Sequence, residues 1–506
     1  MLDSIPDRQL IIQAVVLGFA TYWTAWICYA RWFHPLSRYP GPFWASVSRV
    51  WTVMHVLRGD TERAQKSLHA QYGPVVRIAP NELAINDPQY IKKIYGINSG
   101  FTKSDFYLSF RAPFSRYPDH FTSTDEKVHA ERRRIVSHVY TMTNILQSEN
   151  YLDECTAVFL DQLGKIADKK GTFDLHEWAR MYAYDVIGEL YFSKMFGFLK
   201  SGRDHLGFMA STDTLIPVMT LSAVMPTYIR SVFMFAGILF PRVRNALTAL
   251  GNLSKAAETA VQERLAQRDE SKHGPERADV LNKVLDIYHG KKADFDLDDV
   301  RLEAFGAFFA GSDTTAIFIS GTLYHIIKNR HVYDTLTREI DQGTRDGLLS
   351  TPFITYNEAV KLPYLSACIK EGMRVHPSTA LTFPRNAPKG GCDIEGHWIP
   401  ETARVGVNAA VVQFDTSIFG DDADTFNPSR WLGPDADNMS RYILQFGAGS
   451  RTCMGKHISM TEIYKIIPAL LRSYHFELDG SGDMTTTSYW FYKPTSITTR
   501  VQRRQM

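Results

Sequence analysis

Phe446-Gly447-Ala448-Gly449-Ser450-Arg451-Thr452-Cys453-Met454-Gly455 is a glycine-rich loop that delivers one cysteine to the head of a helix, and the rest of the chain reads as packing around it. Ile463, Ile466, Ile467, Leu470 and Leu471 follow at helical spacing. Cys453 thus stands near a helix start, where unpaired backbone N–H groups and the macrodipole favour a thiolate that could hold a metal or haem iron. A buried structural cysteine in a glycine turn is the alternative. The choice between them depends on the rest of the chain.

The 506 residues are 44% apolar and 12% aromatic, with a formal net charge of +2. That composition suits a globular chain of one large domain or a few smaller ones. Charge is nearly balanced and no long basic block occurs, so no nucleic-acid partner is expected. Five cysteines without Cys-x-x-Cys spacing give neither a zinc pattern nor a disulfide framework.

Working back to the N-terminus, residues 10–30 carry no charge. At about 1.5 Å per residue they can cross a hydrocarbon layer of roughly 30 Å. This reads as a single membrane anchor. A cleaved signal peptide is the competing reading, with Cys28-Tyr29-Ala30 as the cleavage site, but Asp3 and Asp7 in the leader and the length of the run argue against it. Arg31, Arg38 and Arg49 follow the span and place the bulk of the protein on the cytosolic side. Pro35, Pro40, Gly41 and Pro42 then form a rigid turn, a hinge between anchor and body.

Residues 75–78 and 83–86 read as a β-hairpin turning at Pro80-Asn81, and Asp87-Pro88 as the start of a helix. Residues 101–121 are aromatic and irregular, suited either to lining an apolar pocket or to a surface loop. His129-Ala130-Glu131-Arg132-Arg133-Arg134 opens a helical segment with His129 and Arg133 on one face, able to grip a carboxylate or simply solvated. Residues 214–241 are apolar but broken by Pro217, Pro226 and Arg230, which suggests short helices dipping into a bilayer surface or a core helix. Residues 267–277 read as a mobile linker.

Asp298-Asp299 reads as the cap of a long buried helix over residues 300–329. Ser312, Asp313, Thr314 and Thr315 form a polar notch in its middle, costly unless hydrogen-bonded or functional. Gly306 and Gly311 suggest a close approach to its backbone. Glu371 and Arg374, at i and i+3, make an ion pair, and Arg430 in Phe426-Asn427-Pro428-Ser429-Arg430-Trp431 offers a second cation. Strands are expected near Ile394 and over 405–407.

Together these segments resemble a cytochrome P-450, a haem-thiolate monooxygenase, over nearly the whole chain. Phe446, Gly449, Arg451, Cys453 and Gly455 meet the family pattern F-x-x-G-x-R-x-C-x-G. Ala310-Gly311-Ser312-Asp313-Thr314-Thr315 meets [A/G]-G-x-[D/E]-T-[T/S]. Glu371 and Arg374 meet E-x-x-R, and Phe426, Pro428 and Arg430 meet F-x-P-x-R. One departure is His129, where the family usually has Trp in W-x-x-x-R. The anchor with Pro40-Gly41-Pro42 resembles the eukaryotic microsomal branch. Tyr72-Gly73-Pro74-Val75-Val76-Arg77-Ile78 and Lys103-Ser104-Asp105-Phe106-Tyr107 are similar to fungal, pisatin-demethylase-like members of secondary metabolism.

The resemblance implies a mainly α fold with small β-sheets (α+β), a long central helix over haem b, and one N-terminal transmembrane helix. Its organisation would be an anchor (1–31), a Pro-rich hinge (32–45) and one catalytic domain (46–506). Cys453 would be the axial thiolate, shielded by Phe446, with Gly449 and Gly455 allowing close backbone approach. His129, Arg133, Arg385 and Arg451 would pair the haem propionates. Asp313 and Thr314 would relay protons, and Glu371, Arg374 and Arg430 would form a structural triad. Phe106, Phe305, Phe309, Ala310, Leu381 and the tip at 490–495 would line the pocket. The implied partners are an NADPH-dependent reductase, cytochrome b5, O2, a hydrophobic substrate such as a terpenoid or polyketide, and the endoplasmic reticulum bilayer. Hydroxylation, oxidative demethylation or multi-step oxidation is the expected reaction. A reductase-independent isomerase or dehydratase and a non-catalytic haem or ligand carrier are the alternatives.

Overall fold

The computed structural model describes residues 8–112, 115–270, 277–291, 294–394, 396–480 and 483–504. The apolar N-terminal run is a helix, α1 (Arg8–Cys28), extended by a wider π turn over Tyr29–Phe33. The helix therefore ends two residues beyond the expected anchor boundary, and its end is fixed to the body. Trp26 Nε1 donates to Val47 O at 2.7 Å, and the buried Arg77 donates to Ala30 O at 2.8 Å. The proline-rich segment is equally constrained. Arg77 N–H donates to Pro40 O at 2.8 Å, and a Cβ on Gly41 would stand 2.3 Å from Arg77 O. This segment acts as a strap against the sheet, so only glycine fits there and little hinge freedom is left.

The hairpin forms as read, from β1 (Val75–Ala79) and β2 (Glu82–Ile85). A short helix, α2 (Gln89–Tyr95), follows. The expected loop at 101–121 contains structure of its own, β3 (Thr102–Lys103) and a 3₁₀ turn at Asp105–Phe110 capped by Ser104. Next comes α3 (Glu126–Val136), capped by Asp125, whose carboxylate accepts from Lys127 and Val128 N–H. Further on are α4 (Leu175–Phe192), α5 (Phe208–Val224) and α6 (Thr227–Gly237). Pro217 lies inside α5 and does not break it, because the flanking turns are buried against the neighbouring helices. The helix Pro241–Glu270 then runs through the start of the expected linker, and residues 271–276 of that linker lie outside the described residues.

The long helix is α7 (Leu297–Lys328), 32 residues. Its cap is Asp296, not Asp298-Asp299: Asp296 accepts from Asp299 N–H while the Asp299 carboxylate accepts from Asp296 N–H, a capping box that satisfies two orphan donors. α4 packs along α7 in the core, together with α8 (Pro363–Val375) and α9 (Lys456–Ser473). The main sheet is completed by β4 (Arg385–Asn386) and β5 (Arg404–Val407) in the order β1-β2-β5-β4-β3, with β2 and β5 parallel and the other pairs antiparallel. Near the C-terminus β6 (Thr485–Ser488) and β7 (Tyr492–Ser496) form a hairpin whose tip carries Trp490. The helical mass and the small sheets meet at the segments that bear the sequence motifs.

Candidate functional site

Cys453 stands two residues before Gly455, the N-cap of α9, and its N–H donates to Phe446 O at 2.8 Å. Cys453 keeps accessible surface, although protein is dense around it. Burial pushes its pKa up, and the N–H groups of Gly455 and Lys456 and the charge of Arg133 offset that only in part. Burial thus works against the thiolate that the helix start favours, and a metal replacing the proton would stabilise it.

The loop's glycines act differently from expectation. Gly449 has φ +65°, and a Cβ there would lie 1.9 Å from Tyr95 O at the end of α2. Its smallness accommodates protein backbone. Gly455, two residues after Cys453, has no atom within 4 Å of a Cβ position. Phe446 meets Phe318 of α7 edge-on at 6.1 Å, closing one side of the cysteine loop.

On α7, Ala310 is exposed in the middle of a helix with largely buried surroundings, and Gly306 has nothing within 4 Å of its Cβ direction. Gly306, Ala310 and Thr314 recur every four residues, an open stripe that continues to Phe318 and hence to the cysteine loop. Gly311 lies off that stripe, where Ile187 of α4 comes within 3.0 Å. Thr314 Oγ1 donates to Ala310 O at 2.5 Å, and Ser378 Oγ donates to Thr314 O at 2.7 Å.

Asp313 is buried in an ion pair that sequence reading missed. Arg180 of α4 donates from Nε to Asp313 Oδ1 at 2.8 Å, and its other nitrogens reach Asp213 of α5 and Glu177. Lys493 of β7 also pairs with Asp213. Burial pushes the Asp313 carboxyl up, but Arg180 and Lys493 more than offset it and hold it below the usual carboxylate range. Arg180 lies in an otherwise unremarkable helix 133 positions away, and no local signal marks it.

The cation group divides. His129 is buried to 2% with Nε2 unpartnered, and burial followed by Arg451 and other nearby cations brings its pKa down to about 2, so it is a neutral imidazole. Arg133 senses both Cys453 and Arg451 and has no ion pair among the described residues. Arg385 donates to Tyr107 Oη at 2.5 Å and to Pro384 O, and likewise meets no described carboxylate. Arg451 is instead committed to Glu126, at 2.6 and 3.0 Å, and to Ser123 O. It ties the cysteine loop to α3.

Glu371, Arg374 and Arg430 converge as expected. Arg374 binds Glu371 in a bidentate pair at 2.7 and 2.9 Å, Arg430 Nε donates to Glu371 at 3.2 Å, and Trp431 Nε1 adds a bond of 2.7 Å. Arg374 also donates to the carbonyls of Gln413, Ala423 and Thr425. The expected pocket residues separate into two layers. Phe305 and Phe309, in ring contact at 5.0 Å, and Ala310 keep accessible surface, whereas Phe106 and Leu381 are buried to 3% and 2% and back the wall with Trp490.

These features fit a haem. An accessible cysteine, open space at Gly455, a buried imidazole nitrogen without a partner and cations without carboxylates among the described residues are what an iron porphyrin with two acid arms needs.

Comparison with known proteins agrees. The family model "Cytochrome P-450" matches residues 40–499. The chain is 41% identical to the cytochrome P-450 monooxygenase gsfF of Penicillium aethiopicum over 499 residues, 98% of this chain and 99% of that one. It is 32% identical to pisatin demethylase of Fusarium vanettenii over 489 residues, 96% and 92% of the two chains. A cytochrome P-450 monooxygenase of Alternaria alternata matches at 36% over 375 residues, 74% and 99%. The chain belongs to the cytochrome P-450 family and is a haem-thiolate monooxygenase, an enzyme type that works with O2, an organic substrate and electrons from a redox partner.

Proposed function

We propose that the protein is a single-pass enzyme of the endoplasmic reticulum membrane, catalytic side toward the cytosol, that uses NADPH electrons from a separate reductase to oxidise an apolar fungal secondary metabolite. Cytochrome b5 is a possible second donor. Hydroxylation is the simplest outcome, with oxidative demethylation or successive oxidations as extensions, since one relative is named a pisatin demethylase. The observation that carries the substrate class is the aromatic wall. Phe106, Phe110, Phe121, Phe383 and Trp490 pack with ring centroids 5.2–6.1 Å apart, and Phe309 joins them to α7. Such a wall selects apolar, polycyclic ligands.

Haem, when bound, supplies dioxygen activation and oxygen-atom transfer. In this reading Cys453 Sγ is its thiolate ligand and Phe446 keeps water from the sulfur. His129 Nε2–H, Arg133 and Arg385 hold the porphyrin carboxylates. Thr314 Oγ1, anchored on Ala310 O, delivers protons on the open face of α7. Asp313, next to it in the chain, is held as a carboxylate by Arg180, which also binds the exposed Asp213. Phe305 and Phe309 orient the substrate and exclude water.

Membrane attachment rests on α1 and on a second apolar surface. Residues 9–33 are long and apolar enough to span, and all but Ala30 keep accessible surface. α6 buries no residue and exposes Tyr228, Val232 and Phe235, and Leu239 and Phe240 follow it. Arg49 donates to Val224 O, which sets the end of α5 beside the strap that leaves the anchor.

The test is turnover by full-length protein in vesicles with reductase, NADPH and a panel of fungal terpenoids and polyketides under ¹⁸O2. Reductase-dependent conversion is expected, with one ¹⁸O in a hydroxylated product, or in the released formaldehyde if the reaction is an O-demethylation. Conversion that proceeds without reductase and without ¹⁸O would overturn it in favour of isomerisation or dehydration.

A further inference from the structure

Lys103 belongs to none of the sequence motifs, and its surroundings are unusual for a lysine. It sits on β3 directly opposite Arg385 on β4, and the two are buried to 5% and 7%. Cross-strand partners point to the same face, and like charges placed so repel. Neither makes an ion pair among the described residues. Lys103 Nζ donates to Phe121 O at 2.5 Å and lies 4.3 and 4.5 Å from the ring centroids of Tyr107 and Phe121. Arg385 is turned to Tyr107 Oη.

The nearby acids are committed elsewhere. Glu126 is held bidentate by Arg451. Asp119 accepts from the N–H groups of Phe121 and Thr122 and from Thr122 Oγ1. Lys103 and Arg133 both act on the buried His129, whose Nε2 is unpartnered, and at Lys103 the cations Arg385 and Arg451 outweigh the committed Asp119 and Glu126. Uncompensated buried charge costs several kcal/mol per ion. Burial, with Arg385 and Arg451 beside it, accordingly depresses the Lys103 pKa well below its ordinary value. A dianion at this place would remove the repulsion and restore the ammonium.

We propose that Lys103 is a further haem-binding residue, its ammonium sharing the two carboxylates of bound haem with His129, Arg133 and Arg385. This rests on the reading of Cys453 as the haem ligand. The charge would do two things: hold the porphyrin edge, and favour the reduced state, because the electron that enters adds negative charge that a nearby cation stabilises.

The experiment compares purified full-length wild type with Lys103→Met, Lys103→Gln and Lys103→Arg. It measures haem loss to an apoglobin acceptor, the ferric/ferrous midpoint potential and Tm. Lys103→Met and Lys103→Gln are expected to lose haem about tenfold faster, the size of one charge-assisted hydrogen bond, and to have a more negative potential. Lys103→Arg should restore both. Lys103→Gln keeps a donor for Phe121 O, so it remains informative if Lys103→Met fails to fold. Unchanged haem loss and potential in the uncharged variants, even with a lower Tm, would make Lys103 a packing residue and overturn the proposal. Wild type that takes up no haem would instead overturn the underlying reading.

Discussion

Thr314 and Asp313 are neighbours in sequence with opposite commitments. The Thr314 hydroxyl is bound only to the carbonyl one turn back and faces open space, whereas Asp313 is locked to Arg180. Thr314→Ala should leave the fold intact and divert NADPH consumption to peroxide, with product per NADPH falling about tenfold or more. Simultaneous product and peroxide assays decide it, and unchanged coupling would remove Thr314 from the relay. Asp313→Asn leaves Arg180 only its pairs with the more exposed Asp213 and Glu177 and should cost about 1.5–3 kcal/mol of stability by denaturant titration. Because the folded pKa of Asp313 lies below its unfolded value, its stabilisation is fully present above about pH 4 and is lost as pH falls through the folded value. The variant should therefore lose less stability than wild type between pH 5 and pH 2.

At the scale of elements, two long-range clamps hold the cysteine loop. One is the contact of Gly449 with the end of α2, where a Cβ meets a carbonyl and the backbone is left-handed. Gly449→Ala should reduce the yield of protein showing the thiolate-type band of the reduced CO complex, while Gly447→Ala, whose nearest neighbour is 3.7 Å away, suffers only from its φ of +66°. The other clamp is Glu371, which joins α8 to the segment carrying Arg430 and Trp431. Glu371→Gln leaves Arg374 and Arg430 without their charge partner and should abolish haem incorporation through misfolding. Haem content and near-UV circular dichroism of the expressed protein measure it. The E-x-x-R spacing made the pair visible in the sequence. The Trp431 bond was not visible, since it depends on a 3₁₀ turn that carries the indole back to the same carboxylate.

Across the whole molecule, α1 is bound to the body through Arg77 and Trp26, and α6 presents a separate apolar face. Removing residues 1–33 is expected to leave partial vesicle binding, and adding Phe235→Asp with Leu239→Asp should abolish it without changing Tm by more than a few degrees, because neither side chain is buried. Flotation on anionic vesicles tests this. Full release by truncation alone would show that α6 does not engage lipid.

Local chemistry made much of the protein legible. The charge-free run, the rigid proline turn, the polar notch of α7 and the cysteine loop each follow from spacing and residue type within about twenty positions. Their joint order was enough to identify the family. Tertiary structure decided what spacing cannot express. Arg180 was brought to Asp313, Arg451 was paired with Glu126, and Gly449 was set against Tyr95 O. The pairing of β3 with β4 set Lys103 against Arg385. Each joins residues separated by tens to hundreds of positions. Charge pairing and steric exclusion at such separations depend on which helix or strand packs beside which, and the packing of the whole core determines that.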